Sequence, residues 1–267
     1  MNAEINKEQV KHYQENGFLL IRQFLDETEL KYWRDAVGEA VEKRSSRKLP
    51  DRELVSHGDD EAYYEKVFTQ RLQLWKDNEK IRKIMLDERI GKIACELAGV
   101  SGIRIWHDQA LIKPPWGEPT AWHLDVPFWS FSSKAAISIW VALDDVDLQN
   151  GCMYFMPGTH METTYENPGI TSDIGSIFNH YPQFRGREVV PAIMKAGDAS
   201  FHNASLVHGA GPNMTPRPRR AMTCAYMPDG SKFNGQKNIL SDEEFAALKA
   251  GDLLNDDSKN PLLFKVG

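Results

Sequence analysis

The sequence predicts a mainly β protein with flanking helices. Three observations lead there. The first part of the chain, to about residue 102, carries capped helical segments. From about 103 to 227 it breaks into short apolar runs divided by turn residues, the mark of a sandwich or barrel. From 228 to 267 a helical pattern returns as a tail. No linker-like stretch divides the 267 residues, so one domain spanning 1–267 is expected.

The elements follow in order. Lys7 to Asn16 read as a short helix, with Asn6 as its N-cap and Gly17 as its stop. "FLLIRQF" is short, apolar and Gly-bounded, which suits a strand. Asp26 and Glu29 have capping-box spacing, and Leu30, Trp33, Val37 and Val41 recur at helical period. Ser45 to Tyr64 is polar and punctuated by Gly and Pro, which predicts a long loop of the kind used as a lid or binding loop. Its charges are of both signs. Helix is expected again through "VFTQRLQLW" and "DERIGKIACELAG".

The β-like runs are "IRIWHDQALIK", "TAWHLDVPFW", "AAISIWVALDDV", "CMYFMPG", "AIMKAGDASFHN" and "RRAMTCAYMP". Turn signals separate them at "PPWGEP", "LQNG", "MPGTH", "KAGD" and "GPNMTPRP". In the tail, Ser241 and Glu244 form another capping box before "EFAALKAG".

Composition excludes several classes of function. The formal charge of −6 argues against general nucleic-acid binding, which needs a basic face. Cys95, Cys152 and Cys224 are odd in number and far apart, with no CxxC, so neither a disulfide framework nor a zinc knuckle is expected. A reducing, cytoplasmic setting fits better. The N-terminus lacks the apolar stretch of a signal peptide, and no window reaches the apolar length of a membrane span. A small-molecule substrate is therefore expected, with no nucleic acid or membrane partner. Nothing in the sequence signals an oligomeric state.

Two stretches carry the chemistry. If "TAWHLDV" is a strand, His123 and Asp125 project from one face, because strand side chains alternate. Imidazole plus carboxylate suits Fe(II), Mn(II) or Zn(II), and one more histidine would complete a 2-His-1-carboxylate facial triad with open positions. The alternative is a hydrogen-bonded pair on an ordinary strand. The second stretch, "GDASFHNASLVHGAGPNMTPRPRRAM", offers His202 and His208 as rival third ligands. Gly209 and the turn after it place His208 at a strand end.

The same stretch holds adjacent arginines. A buried arginine can clamp a carboxylate in a bidentate fork. Arg219 and Arg220 point to opposite faces of a strand, so only one can face a cavity. His107 and Asp108 diverge for the same reason and cannot chelate together. His160 reads as a turn residue. Phe128 and Trp129, just past Asp125, fit a pocket wall and a core equally well.

Taken together, these segments resemble the phytanoyl-CoA dioxygenase family of Fe(II)- and 2-oxoglutarate-dependent oxygenases. The resemblance runs through "NKEQVKHYQENGFLLIRQFLDETEL", "LIKPPWGEPTAWHLDVPFW", "WVALDDVDLQNGCMYFMPGTH" and "HGAGPNMTPRPRRAM", in that order. It implies a double-stranded β-helix, or jelly-roll, core of the cupin-like kind. It implies His123, Asp125 and His208 as catalytic iron ligands. It implies that Arg219 pairs with the far carboxylate of 2-oxoglutarate, and that Lys113 helps hold that cosubstrate. The implied reaction uses O2 to hydroxylate an unactivated C–H, with release of succinate and CO2. Halogenating relatives lack the carboxylate ligand, so Asp125 disfavours that outcome. Desaturating or epoxidising chemistry, a cupin-type isomerase or lyase that does not use 2-oxoglutarate, and a binding module without turnover are the alternatives.

Overall fold

A computed structural model of the chain describes residues 1–51, 60–166 and 170–267. The strands are β1 (Phe18–Ile21), β2 (Thr69–Leu72), β3 (Gly102–Lys113), β4 (Thr120–His123), β5 (Ile137–Ala142), β6 (Met153–Phe155), β7 (Val190–Pro191), β8 (Ala199–Asn203), β9 (His208–Ala210), β10 (Arg219–Pro228) and β11 (Leu262–Lys265). Two antiparallel sheets result. The larger has the order β1-β8-β5-β10-β3, and the outer edge of β3 is shared by β2 and β11. The smaller has the order β4-β9-β6-β7. This is the expected double-stranded β-helix.

The helices are α1 (Lys7–Asn16), α2 (Glu27–Arg44), α3 (Asp60–Val67), α4 (Glu79–Met85), α5 (Glu88–Ala98), α6 (Ile177–His180) and α7 (Asp242–Ala247). The N-cap read at Asn6 and the capping boxes read at Asp26 and Ser241 all form, and Asn6 also closes a capping box with Gln9. Each supplies partners for backbone N–H groups that a helix start leaves unpaired.

β5 shows why the apolar runs are continuous rather than alternating. All six of its residues are buried. Ile137, Ile139 and Val141 pack with α1, α2, α4 and α5 on the outside of the large sheet. Trp140 and Ala142 face inward against Phe18, Phe155 and Leu206. A strand covered on both faces has no polar face to show. Each outward isoleucine contributes roughly 1.5–3 kcal/mol by leaving water.

Several expectations are corrected. "VFTQRLQLW" is not helical throughout: Thr69–Leu72 form β2, and Leu74–Lys76 a 3-10 turn. Burial alternates along "TQRL", with Gln70 and Leu72 buried, and pairing with β3 overrides the helical pattern. The region to about 102 therefore contributes two strands, β1 and β2, to the large sheet. The tail from 228 to 267 is not a helical segment. It holds one short helix, α7, and β11 returns to pair with β3. Of the expected loop from Ser45 to Tyr64, residues 52–59 lie outside the described residues, and Asp60 onward belongs to α3.

Candidate active site

β4 ends at His123, so the strand argument for His123 and Asp125 does not hold as written. Asp125 has helical backbone angles and begins a 3-10 turn over Val126–Phe128. What brings the two together is a bend. The N–H groups of Asp125 and Val126 both donate to the carbonyl of Ala204, which pulls the chain over after His123. Leu124 is fully buried inside that bend.

The second histidine arrives by register. His123 and His208 are direct partners across β4 and β9, with ring centroids 4.2 Å apart. Their Nε2 atoms lie 3.5 and 3.6 Å from one oxygen, Oδ1 of Asp125. His123, Asp125 and His208 thus bring three ligand atoms within 4.8 Å of one another. Donors so placed can share one ion at bonds of about 2.1 Å.

The tautomers are arranged for this. Nδ1 of His123 lies 2.8 Å from the carbonyl of Ala121, and Nδ1 of His208 lies 2.9 Å from that of Leu206. A carbonyl only accepts, so each Nδ1 carries the proton and each Nε2 presents its lone pair inward. Burial, together with neighbouring His123, pushes the His208 imidazole down to about 3, so it stays neutral. Burial alone would raise the Asp125 carboxyl, but the imidazoles of His208, His123 and His202 around it hold it well below the usual carboxylate range. A neutral imidazole at His208 and an ionised carboxylate at Asp125 are donor states a divalent ion requires.

His202, the rival, sits elsewhere. It lies on β8 in the large sheet, while His208 lies on β9 in the small one. Its Nε2 is 3.4 Å from the other carboxylate oxygen, Oδ2 of Asp125.

Lys113 and Arg219 form the far wall. They are register partners on β3 and β10, and both are buried. The Arg219 guanidinium lies 5.0 Å over the Trp140 ring and donates to the Gly151 carbonyl at 3.1 Å. Its Nε and Nη1 have no partner among the described residues. The Lys113 ammonium donates to the Glu118 carbonyl. Burial and then the Arg219 charge push Lys113 down to about 7, and burial pushes Arg219 down to about 10. Two buried cations with donors to spare make a cradle for an anion. Arg220 points the other way and is bonded through Nε and Nη2 to Asp144.

The model of the family described as phytanoyl-CoA dioxygenase (PhyH) matches residues 13–221. The chain belongs to this family. The peroxisomal phytanoyl-CoA dioxygenase of Homo sapiens is 26% identical over 236 residues, covering 84% of this chain and 69% of the human one. Among solved structures, the non-heme alpha-ketoglutarate-dependent carbocyclase SnoK of nogalamycin biosynthesis has a TM-score of 0.79 at 28% identity, covering 98% of each chain. The epimerase SnoN, solved with Fe3+, alpha-ketoglutarate and nogalamycin RO, has a TM-score of 0.78 at 25% identity, covering 97% of this chain and 98% of that one. Family membership therefore comes with more than one kind of reaction among the relatives. Among the described residues, no helix of this phytanoyl-CoA dioxygenase family member is long and apolar enough to cross a membrane.

Four residues of this family member's site escaped the sequence reading. Ser138 donates to Oδ2 of Asp125 at 3.2 Å. A lone serine inside the apolar run "ISIWVA" was the available signal. Gly151 has φ +88°, and a Cβ there would meet Lys113 Cδ at 2.6 Å. It was read only as part of a turn. Trp140, inside the apolar run "AAISIWVALDDV", lies under the Arg219 guanidinium. His107 was set aside because it diverges from Asp108. Asp108 does face outward and caps the 3-10 turn through the N–H groups of Leu74 and Trp75. His107 faces inward, in the same cross-strand row as Ala225, Ser138 and His202. It is buried, its Nδ1 has no partner among the described residues, and burial pushes it down to about 4. Trp129 is core: it stacks on Phe131 and meets His107 edge-on. Phe128 is half-buried beside it.

Proposed function

We propose that this protein is an Fe(II)- and 2-oxoglutarate-dependent dioxygenase that hydroxylates an unactivated C–H of a small-molecule metabolite. The observation that carries the reading is the pairing of two features in one interior. An open donor set stands on the small sheet and the bend after it, and a buried cation pair with no ion pair among the described residues stands on the large sheet. A metal-dependent isomerase or lyase would use the first and have no role for the second.

His123, Asp125 and His208 would hold Fe(II), leaving three positions free. Arg219 and Lys113 would take the far carboxylate of 2-oxoglutarate. Arg219 would hold it with Nε and Nη1, which have no partner among the described residues. Trp140 keeps the guanidinium plane in place. When bound with O2, iron and 2-oxoglutarate supply an oxidative decarboxylation to succinate and CO2 that converts C–H to C–OH. The rest falls to the protein. His107, six residues before Lys113 on β3, would line the substrate's end of the interior. Trp129, Phe131 and Trp106 exclude water behind it.

The carbocyclase and epimerase likenesses favour a second reading of the outcome alone. The same removal of hydrogen could end in ring closure or inversion rather than an alcohol. Three buried free cysteines fit a cytoplasmic protein.

The test is anaerobic addition of Fe(II) and 2-oxoglutarate, watched for a weak visible charge-transfer band. A succinate-release screen over small metabolites follows. Absence of both the band and any succinate release would sink the reading. Asp125→Ala should lose the band and the turnover together.

A further inference from the structure

The two oxygens of Asp125 have different surroundings. Oδ1 faces the Nε2 atoms of His123 and His208. Oδ2 faces Ser138 Oγ at 3.2 Å and His202 Nε2 at 3.4 Å. Ser138 and His202 are register partners on β5 and β8, so one cross-strand pair of the large sheet presents both groups to one oxygen.

His202 also differs from the two histidines implied as ligands. Theirs carry the Nδ1 proton to a carbonyl and leave Nε2 as a lone pair. His202 has no acceptor at Nδ1, which is buried and unpartnered among the described residues. Its Nε2 faces a carboxylate oxygen, which only accepts. The proton therefore belongs on Nε2, and His202 is a donor and not a ligand. Its ring is fixed by Phe155, 5.5 Å away between centroids, and by His208 at 4.9 Å.

We infer that His202 and Ser138 form a clamp on Oδ2 that holds Asp125 as a one-oxygen ligand. This rests on the metal site proposed above. A carboxylate free to turn can offer both oxygens to an ion and occupy a position that the cosubstrate or O2 needs. With Oδ2 engaged by two donors, only Oδ1 is available, and its direction is set. His202 is thus a positioning residue. The same contacts make the third-ligand choice of His208 over His202 a matter of tautomer as well as place.

The test uses Co(II) as the probe metal, titrated into the apo protein and followed by its visible d–d bands and by calorimetry. His202→Phe keeps an aromatic ring against Phe155 and removes the donor. It should weaken Co(II) binding by about 10- to 100-fold, the usual effect of losing such an outer contact. His202→Gln can place an N–H near the position of Nε2 and should recover most of the affinity. Ser138→Ala should weaken binding less than His202→Phe. At saturating Co(II) the band positions should keep the signature of two nitrogens and a carboxylate in every variant. Circular dichroism of each apo variant checks folding, and if His202→Phe does not fold, His202→Ala takes its place.

Unchanged affinity in the folded His202 variant overturns the clamp. So does a band shift in it that reports a lost nitrogen ligand, since His202 would then bind metal itself. If the unaltered protein takes up no Co(II), it is the metal site that fails, a different result from either.

Discussion

Lys113 and Arg219 stand directly opposite one another on β3 and β10, and neither forms an ion pair among the described residues. Two cations on one buried wall repel each other and lose hydration. The sheet register forces this on the protein, and an anion would relieve it.

Replacing Arg219 should therefore separate stability from binding. Arg219→Met removes a buried cation and leaves an apolar chain on Trp140. The apo protein should gain about 1 kcal/mol or more, seen as a higher Tm. Its 2-oxoglutarate requirement should rise about 10- to 100-fold while metal affinity is unchanged, from loss of a charge-assisted bond. Arg220→Ala, which removes only the Asp144 pair, should cost less than about 1 kcal/mol and spare the cosubstrate. If Arg220→Ala raised the requirement instead, the face assignment would be wrong.

Lys113 should make cosubstrate binding pH-dependent. Burial and Arg219 depress it to about 7. A bound carboxylate favours the charged form and raises that value. Below pH 7 the lysine is already protonated, and binding exchanges little. Above pH 7 binding must take up a proton, so affinity falls by up to about tenfold per unit. Calorimetry at pH 8 in buffers of different ionisation enthalpy should show uptake approaching one proton. Lys113→Met should abolish it.

Gly151→Ala tests the turn behind the wall. At φ +88° a side chain is strained, at a cost of about 1–2 kcal/mol. Its Cβ would also come within 2.9 Å of the Gly211 carbonyl and press on Lys113 Cδ. The 2-oxoglutarate requirement should rise, with Co(II) affinity unchanged. A normal requirement would show that the turn does not position Lys113.

His107 predicts acid lability. Its folded value is about 4, against about 6.5 unfolded. As pH falls below 6.5 the unfolded chain takes up a proton that the folded protein refuses until about 4, so stability is lost across that window. The loss is on the order of 2 kcal/mol between pH 6.5 and 5. His107→Phe should flatten the fall in Tm over that range relative to the unaltered protein. An equally steep fall would assign the lability to other groups.

By itself, the sequence determined the kind of fold and the residue types of the site. Capping residues, helical periods and Gly- and Pro-bounded apolar runs are local signals, and they announced the helix starts at Asn6, Asp26 and Ser241 and most of the strands. The motifs around His123, Asp125, His208 and Arg219 named the candidates. Pairing partners are not local. Only tertiary contacts decided that "TQRL" and the last residues join β3, that a bend rather than a strand face brings Asp125 to His123, and that His123 meets His208 by register. The same contacts set His202 and Ser138 on Oδ2 and left Arg219 without an ion pair among the described residues, because donors and charges acquire their neighbours only when distant strands align.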